Sequence, residues 1–313
     1  MKKKVGVLFG MEDRFQWLLI DRLNLERDKG MEAAPVKIGA IAQAKPTGYD
    51  LIVDRISHDV PFYRSFLKNE VLCGTQVIND PFFASCDDKF FENALAVKLG
   101  VAVPKTVILP HKDLPPDTTA QSMRNLIYPL DWDSIFAEIG FPAFLKKHAG
   151  GGWAHVYPVK NPGELFAAYQ QTGHLVMMLQ EAIDFESYYR CYCVGRKAVR
   201  IMPYEPRNEH ARRYHANHPP LDPKVEARIV KDTITLNTVL GYDLNTCEFA
   251  VKDGVPYAID FMNWAPDCDP DHVGVENVNW VVEELAKLIV ERLSNPRTDP
   301  RFASQLLQTG KAA

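Results

Sequence analysis

The stretch Phe249 to Asp269, FAVKDGVPYAIDFMNWAPDCD, decides how this chain of 313 residues is read. An acid, Glu248, stands immediately before it, and Asp260 and Asn263 lie close together inside it. Val251 to Gly254 (VKDG) has the composition of a tight turn, and strand-forming runs flank it at Cys247 to Val251 and Val255 to Phe261. Two antiparallel strands joined there hold Glu248 beside Asp260. Clustered oxygen ligands at the end of a sheet suit Mg²⁺, which binds through one or two carboxylates and completes its octahedron with waters and nucleotide phosphates. The plainer reading is a polar hairpin edge, so the choice falls to the rest of the chain.

Upstream of the hairpin, Pro223 to Leu240 reads as an amphipathic helix, and Glu276 to Leu293 as a last one. Tyr188 to Val194 and Lys197 to Met202 form a further hairpin around Val194 to Arg196. Between them, Glu205 to Leu221 has no apolar period and carries Arg207, Arg212, Arg213, His210, His215 and His218, the pattern of a long surface loop. Further back, FPAFLKKHAGGGWAHVYPV reads as strand, Gly-rich turn, strand. Glycines Gly150, Gly151 and Gly152 let backbone N–H groups approach phosphate oxygens, and a lysine adds a point charge. Lys146 and Lys147 face opposite ways in a strand, so one points into a cleft and the other meets solvent. No Walker A pattern is present, because the glycines run into a strand.

Asp131 caps a helix running to Ile139, and Asn161 caps one over Pro162 to Gln171. Asp87 to Leu99 is a helix with Lys89 near its start and Gly100 past its end. A strand over Leu175 to Gln180 leads into Glu181 and Glu186, a natural hinge whose backbone reads an adenine edge while an acid holds a ribose hydroxyl. The first 85 residues alternate strands (Val5 to Phe9, Val36 to Ile41, Leu51 to Val53, Gln76 to Asn79) with helical segments at Phe15 to Leu25 and Ser57 to Lys68. That order predicts a mostly parallel α/β unit, and no GxGxxG follows its first strand.

Composition is ordinary for a globular protein, with 46% hydrophobic and 24% charged residues. The net charge of -4 gives no reason to expect nucleic acid. No apolar run approaches the roughly 18 residues of a membrane span. Six cysteines at 73, 86, 191, 193, 247 and 268 form no CxxC pair, which predicts reduced thiols and a cytoplasmic protein.

In order and spacing, Lys89, Lys146, the glycine turn, Gln180-Glu181, Glu186, Arg190, Glu248, Asp260 and Asn263 resemble the ATP-grasp superfamily, in its glutathione-synthetase-like or peptide-ligase-like branch. The resemblance runs from about Val5 to about Leu293. It implies an α/β plus α+β architecture: an N-terminal α/β domain (1–85), a first ATP-grasp subdomain with a Gly-rich lid (86–180), a second with the metal site (181–295), and a polar tail (296–313). The two subdomains clasp ATP in such proteins. Carried over, Lys89 and Lys146 hold the phosphates under a lid at Ala149 to Trp153, and Gln180, Glu181, Ala182 and Ile183 form the adenine hinge. Glu186 is the ribose partner, and Glu248, Asp260 and Asn263 bind Mg²⁺, with Mn²⁺ as a substitute. Arg190 faces the transferred phosphate or the carboxylate, and Arg200 on the same hairpin is a second catalytic candidate. The implied activity is an ADP-forming, carboxylate–amine (or thiol) ligase working through an acylphosphate on small molecules such as amino acids or peptides, often as a homo-oligomer. A small-molecule kinase and a non-catalytic ATP-binding module are the alternatives.

Two departures stand out. Family members usually carry the last acid and the Asn two residues apart, whereas Asp260 and Asn263 are three apart and fall on opposite faces of a regular strand. Either a bulge at Phe261-Met262 realigns them, or one is not a ligand and Asp267 or Asp269 substitutes. Lys147 stands where a proline often follows the loop lysine, which leaves open which lysine meets phosphate.

Overall fold

The computed structural model describes residues 2–27, 30–82, 88–150, 154–209, 212–214, 220–263 and 265–297. Contacts divide the chain into two compact units. Unit 1 comprises Met1–Cys86, Tyr188–Glu248 and Asp260–Ala313; unit 2 comprises Asp87–Ser187 and Phe249–Ile259.

Unit 1 begins with a parallel sheet of four strands, β1 (Lys3–Leu8), β2 (Met31–Pro35), β3 (Leu51–Asp54) and β4 (Gln76–Ile78), in the order β2-β1-β3-β4. Parallel strands buried on both faces read as continuous apolar runs, and β3 (LIVD) is buried along its whole length. The strand expected over Val36 to Ile41 lies earlier, at Met31–Pro35. Pairing with β1 runs from Lys3 opposite Met31 to Val7 opposite Pro35 and ends when the Val36 amide donates to the Val7 carbonyl. Pro35 brings no amide to the ladder, and Val36, Ile38 and Ile41 instead pack as loop residues on Leu8, Ile52, Phe66 and Leu67.

Helix α1 (Phe15–Asn24) buries Phe15, Leu19, Ile20 and Leu23. Helix α8 (Val275–Ser294) buries Val278, Val281, Val282, Leu285 and Ile289. These faces join the β1 and β3 valines in one apolar core. Helix α2 (Pro61–Leu72) starts with proline at its first position, four residues after the expected start at Ser57. Strands β9 (Ser187–Val194) and β10 (Ala198–Pro203) form the expected antiparallel hairpin. Its three-residue connection, Gly195 to Lys197, places Gly195 and Arg196 at φ +64° and +63° in the left-handed region. Helix α6 (Pro223–Leu240) is capped by the Asp222 carboxylate on the Lys224 and Val225 amides and ends on Gly241 at φ +78°. The short α7 spans Pro270–Val273.

Unit 2 is built on an antiparallel sheet of β5 (Thr106–Leu109), β6 (Ala143–Lys147), β7 (Val156–Val159) and β8 (Met177–Glu181), in the order β5-β8-β6-β7. Helices α4 (Trp132–Ile139) and α5 (Pro162–Tyr169) carry the expected caps, Asp131 and Asn161. Leu109, Leu145, Val159, Leu165 and Leu179 lie in its core. Helix α3 (Lys89–Lys98) is capped by Asp88, which accepts from the Phe90 and Phe91 amides. The opening stretch forms β11 (Leu244–Lys252) and β12 (Val255–Asn263), strands of the order β10-β9-β11-β12. The turn at Asp253-Gly254, with φ +51° and +72°, is the one the sequence announces. Among the described residues no helix is long and apolar enough to cross a membrane.

Candidate nucleotide and metal site

The acid pair sits in unit 1, where β11 ends its share of that unit at Glu248 and β12 begins its share at Asp260. Both Glu248 oxygens are engaged. The Tyr188 hydroxyl donates to Oε2 at 2.6 Å, and the Arg190 guanidinium pairs with Oε1 at 3.5 Å. Burial pushes the Tyr188 hydroxyl well above its ordinary range, and the charges of Glu248 and Asp260 add to this. Burial works against the charge of Arg190, but Glu248 together with Tyr214, Tyr204 and Tyr192 offsets it and the guanidinium stays firmly protonated. Arg190 also donates to the Tyr214 hydroxyl at 2.9 Å and lies over the Tyr204 ring, 5.5 Å from its centre. Tyr188, Arg190 and Tyr192 are two residues apart on β9, so they share one face.

The structure joins Glu248 and Arg190, both named from the sequence, and adds Tyr188, Tyr204 and Tyr214, which sequence reading did not name. The alternation around Arg190 was the signal for Tyr188. Tyr214 lies in a segment without periodicity, so only its fold contact identifies it.

In β12 the burial phase slips. Pro256 and Ala258 are buried, but the next buried residue is Phe261, not Asp260. The break falls at Ile259 and Asp260, upstream of the Phe261-Met262 pair. The substitutes are committed elsewhere: Asp267 accepts from the Asp269 amide at 2.9 Å and meets His272 at 3.2 Å, while Asp269 caps α7. Arg200 does not meet the acids. Its guanidinium bonds Asn277 and lies 3.9 Å from Glu276, both on α8.

Oxygen donors make this pair a hard-cation set. Among the described residues no three His, Cys, Asp or Glu side chains converge on a metal position. Two carboxylates plus waters and phosphates is how Mg²⁺ is ordinarily held, so the residues fit that ion.

Unit 2 carries the phosphate-binding candidates. The Lys89 amide donates to the His148 carbonyl at 2.9 Å, which fixes the start of α3 against the end of β6 and brings Lys89 to the lysine pair. Lys146 stands opposite Met178 and Val156 in the sheet. Lys147 folds back over the glycine turn, its Nζ 3.0 Å from where a β-carbon on Gly150 would stand. Gly150 takes φ +78°, which suits glycine. Gly151, Gly152 and Trp153 lie outside the described residues, as do His210, His215 and His218.

At the expected hinge, buried Gln180 donates to Thr106 Oγ1 at 2.9 Å and to Asn93 Oδ1 at 3.4 Å. The amides of Glu181 and Ala182 are taken by the carbonyls of Lys105 and Pro142. That leaves Ile183 as the hinge residue whose amide has no such backbone bond. Glu186 is exposed and accepts from the Asp253 amide at 3.3 Å.

No family model and no curated protein matches the chain. Solved structures do. A RimK-domain ATP-grasp protein from Sphaerobacter thermophilus superposes with a TM-score of 0.66 at 17% identity, over 92% of this chain and 99% of that one. A D-alanine–D-alanine ligase from Bacillus anthracis, complexed with ATP, gives 0.62 at 15%, over 93% and 97%. The ATP-grasp ligase PsnB, complexed with a minimal precursor, gives 0.63 at 13%, over 92% and 100%. The fold is therefore that of the ATP-grasp proteins, as the order of residues implied.

Proposed function

We propose that the chain is an ATP-dependent ligase that joins a carboxylate to an amine or thiol through an acylphosphate and forms ADP. The observation that carries this reading is the constellation around Glu248: one carboxylate oxygen takes the Tyr188 hydroxyl, the other meets the half-buried Arg190 guanidinium, and the charge of Asp260 adds to that of Glu248 in raising the phenol. On an ATP-grasp fold, that is the chemistry of a phosphoryl-transfer site rather than of a nucleophile triad.

In this reading Lys89 and Lys146 neutralise the phosphates, with Gly150, Gly151 and Gly152 over them, and Gln180 to Ile183 with Glu186 hold the nucleoside. Glu248, Asp260 and Asn263 are assigned to Mg²⁺, or Mn²⁺, which when bound supplies charge neutralisation on the β- and γ-phosphates. The substrate carboxylate oxygen attacks the γ-phosphorus, and the bond to the β-phosphate oxygen breaks to release ADP. The amine nitrogen then attacks the acyl carbon, the carbon–oxygen bond to phosphate breaks, and the nitrogen loses a proton. Such transfers need positioning and electrostatic stabilisation more than covalent help. Arg190 is placed to balance charge as it grows on the transferred group. The substrates are assigned to small carboxylates and amines of the amino acid or peptide class.

A second reading is a non-catalytic nucleotide-binding module. The grip of Tyr188 and Arg190 on Glu248 favours it, because both carboxylate oxygens already have a partner within the protein. ADP formation with Mg²⁺ across amino acids and dipeptides separates the readings. A ligase gives ADP and phosphate with a joined product, a kinase leaves a stable phosphorylated product, and a module binds ATP without turnover. Lys146→Ala and Glu248→Ala are expected to lose about a hundredfold or more in turnover; parental rates in both would refute the site.

A further inference from the structure

We infer that unit 1 carries an anion site for a phosphate group at Arg196, Arg292 and Arg297, separate from the residues assigned to the nucleotide. The three guanidiniums converge on one buried carboxylate. Arg292 Nη2 lies 2.6 Å from Asp243 Oδ2, while Arg196 Nε and Arg297 Nη1 lie 3.1 and 3.4 Å from Oδ1. One aspartate balances one arginine, so among the described residues two positive charges remain. The neighbouring Glu291 does not balance them, because Lys197 holds it at 2.5 Å and brings its own charge. Burial depresses Arg196 and Arg292 below the usual arginine range; Asp243 opposes this, and the neighbouring guanidiniums add to it. Surplus charge of one sign in a half-buried place breaks the ordinary rule of paired burial, and such breaches concentrate at functional sites.

The cluster is built, not incidental. Gln76 and Arg297 exchange two bonds at 3.0 Å, which pins the segment after α8 to β4. Arg196 sits at φ +63° and donates to the Gly241 carbonyl at 2.7 Å, and the Gly195 amide donates to the Asp243 carbonyl at 2.8 Å. Arg292 also lines a hollow of about 210 Å³ with Lys3, Gly74, Thr75 and Gln76. Among the described residues lining that hollow the one carboxylate, Asp50, is already held by Lys3 Nζ and the Lys4 amide, each at 2.8 Å. Planar guanidiniums converging at one place suit the tetrahedral, multiply charged oxyanion of phosphate better than a small halide. Asp243 and Glu248 are five residues apart, which in an extended strand is about 16 Å, so the two sites do not share an occupant.

The test uses the full chain carrying Lys146→Ala, so that phosphate binding at the assigned nucleotide site is weakened. Melting is followed in inorganic phosphate, in glycerol phosphate as a monoester, and in sodium chloride at matched ionic strength. A saturable rise of about 5 °C is expected at a hundredfold excess over Kd. The stronger of the two phosphates identifies whether the free ion or the monoester is the natural occupant. Arg297→Gln and Arg196→Gln, both on partly exposed side chains, are each expected to weaken the apparent affinity at least tenfold. The exposed control Lys224→Gln leaves it unchanged. A rise no larger than that in chloride, or parental affinity in both arginine variants, overturns the assignment.

Discussion

Tyr188 is the residue on which the acid pair turns. Its hydroxyl is buried, and its bond to Glu248 Oε2 at 2.6 Å is charge-assisted. Tyr188→Phe keeps the ring and removes only that donor, leaving one oxygen of a half-buried carboxylate without a partner. The expected loss is about 2 kcal/mol of stability, read as a lower urea midpoint with an unchanged slope. A parental midpoint would mean that the bond contributes nothing. Glu248, Asp260 and Arg190 were legible in the sequence because charged residues in strand-like runs demand an explanation. The tyrosines were not, because an aromatic in a strand is first read as core, and only the fold shows Tyr204 and Tyr214 closing around Arg190.

At the scale of elements, helix α6 was legible from end to end. Asp222 caps it, Pro223 opens it, and Gly241 closes it in the left-handed conformation. Asp222→Ala is expected to cost about 1 kcal/mol, because two first-turn amides lose their acceptor. Gly241→Ala is expected to cost about 1 kcal/mol by forcing a β-carbon into left-handed backbone. Urea unfolding of each variant measures both losses, and the double variant should lose their sum, since cap and terminus share no partner. Strand β2 was not legible. Val36 to Ile41 carries the stronger β-formers, yet Met31–Pro35 pairs with β1, because register with the neighbour outranks propensity. The sequence leaves open a bulge at Phe261-Met262 or the loss of one ligand, and the burial phase breaks nearby, at Ile259 and Asp260. A pattern of residue types reveals that a strand must adjust, whereas the position of the adjustment depends on what each side chain packs against.

At the scale of the whole chain, the thiols report how unit 1 holds together. Cys191, Cys193, Cys247 and Cys268 are all buried, carry no disulfide and belong to that unit. Burial pushes every one of them up, Cys268 to about 11 and Cys193 to about 12. In the native state they are neutral and shielded, so a thiol reagent meets them only after opening. If unit 1 opens as one cooperative piece, the four label at a common rate, behind half-buried Cys73, and urea accelerates all four equally. Separate rates would show that the sheet of β9 to β12 opens apart from the segment carrying Cys268. The same shifts fix the response to alkali. A thiol whose folded pKa is raised stabilises the native state fully below its unfolded value of about 8.5. That contribution is lost as pH climbs through the folded values of about 11 and about 12. Between pH 9 and 10, each such thiol is expected to remove close to about 1.4 kcal/mol of unfolding free energy. Cys193→Ser leaves a hydroxyl that does not titrate there, so the urea midpoint of that variant should fall less steeply with pH than the parent's. Parallel pH profiles for the two would place the alkaline loss on groups other than Cys193.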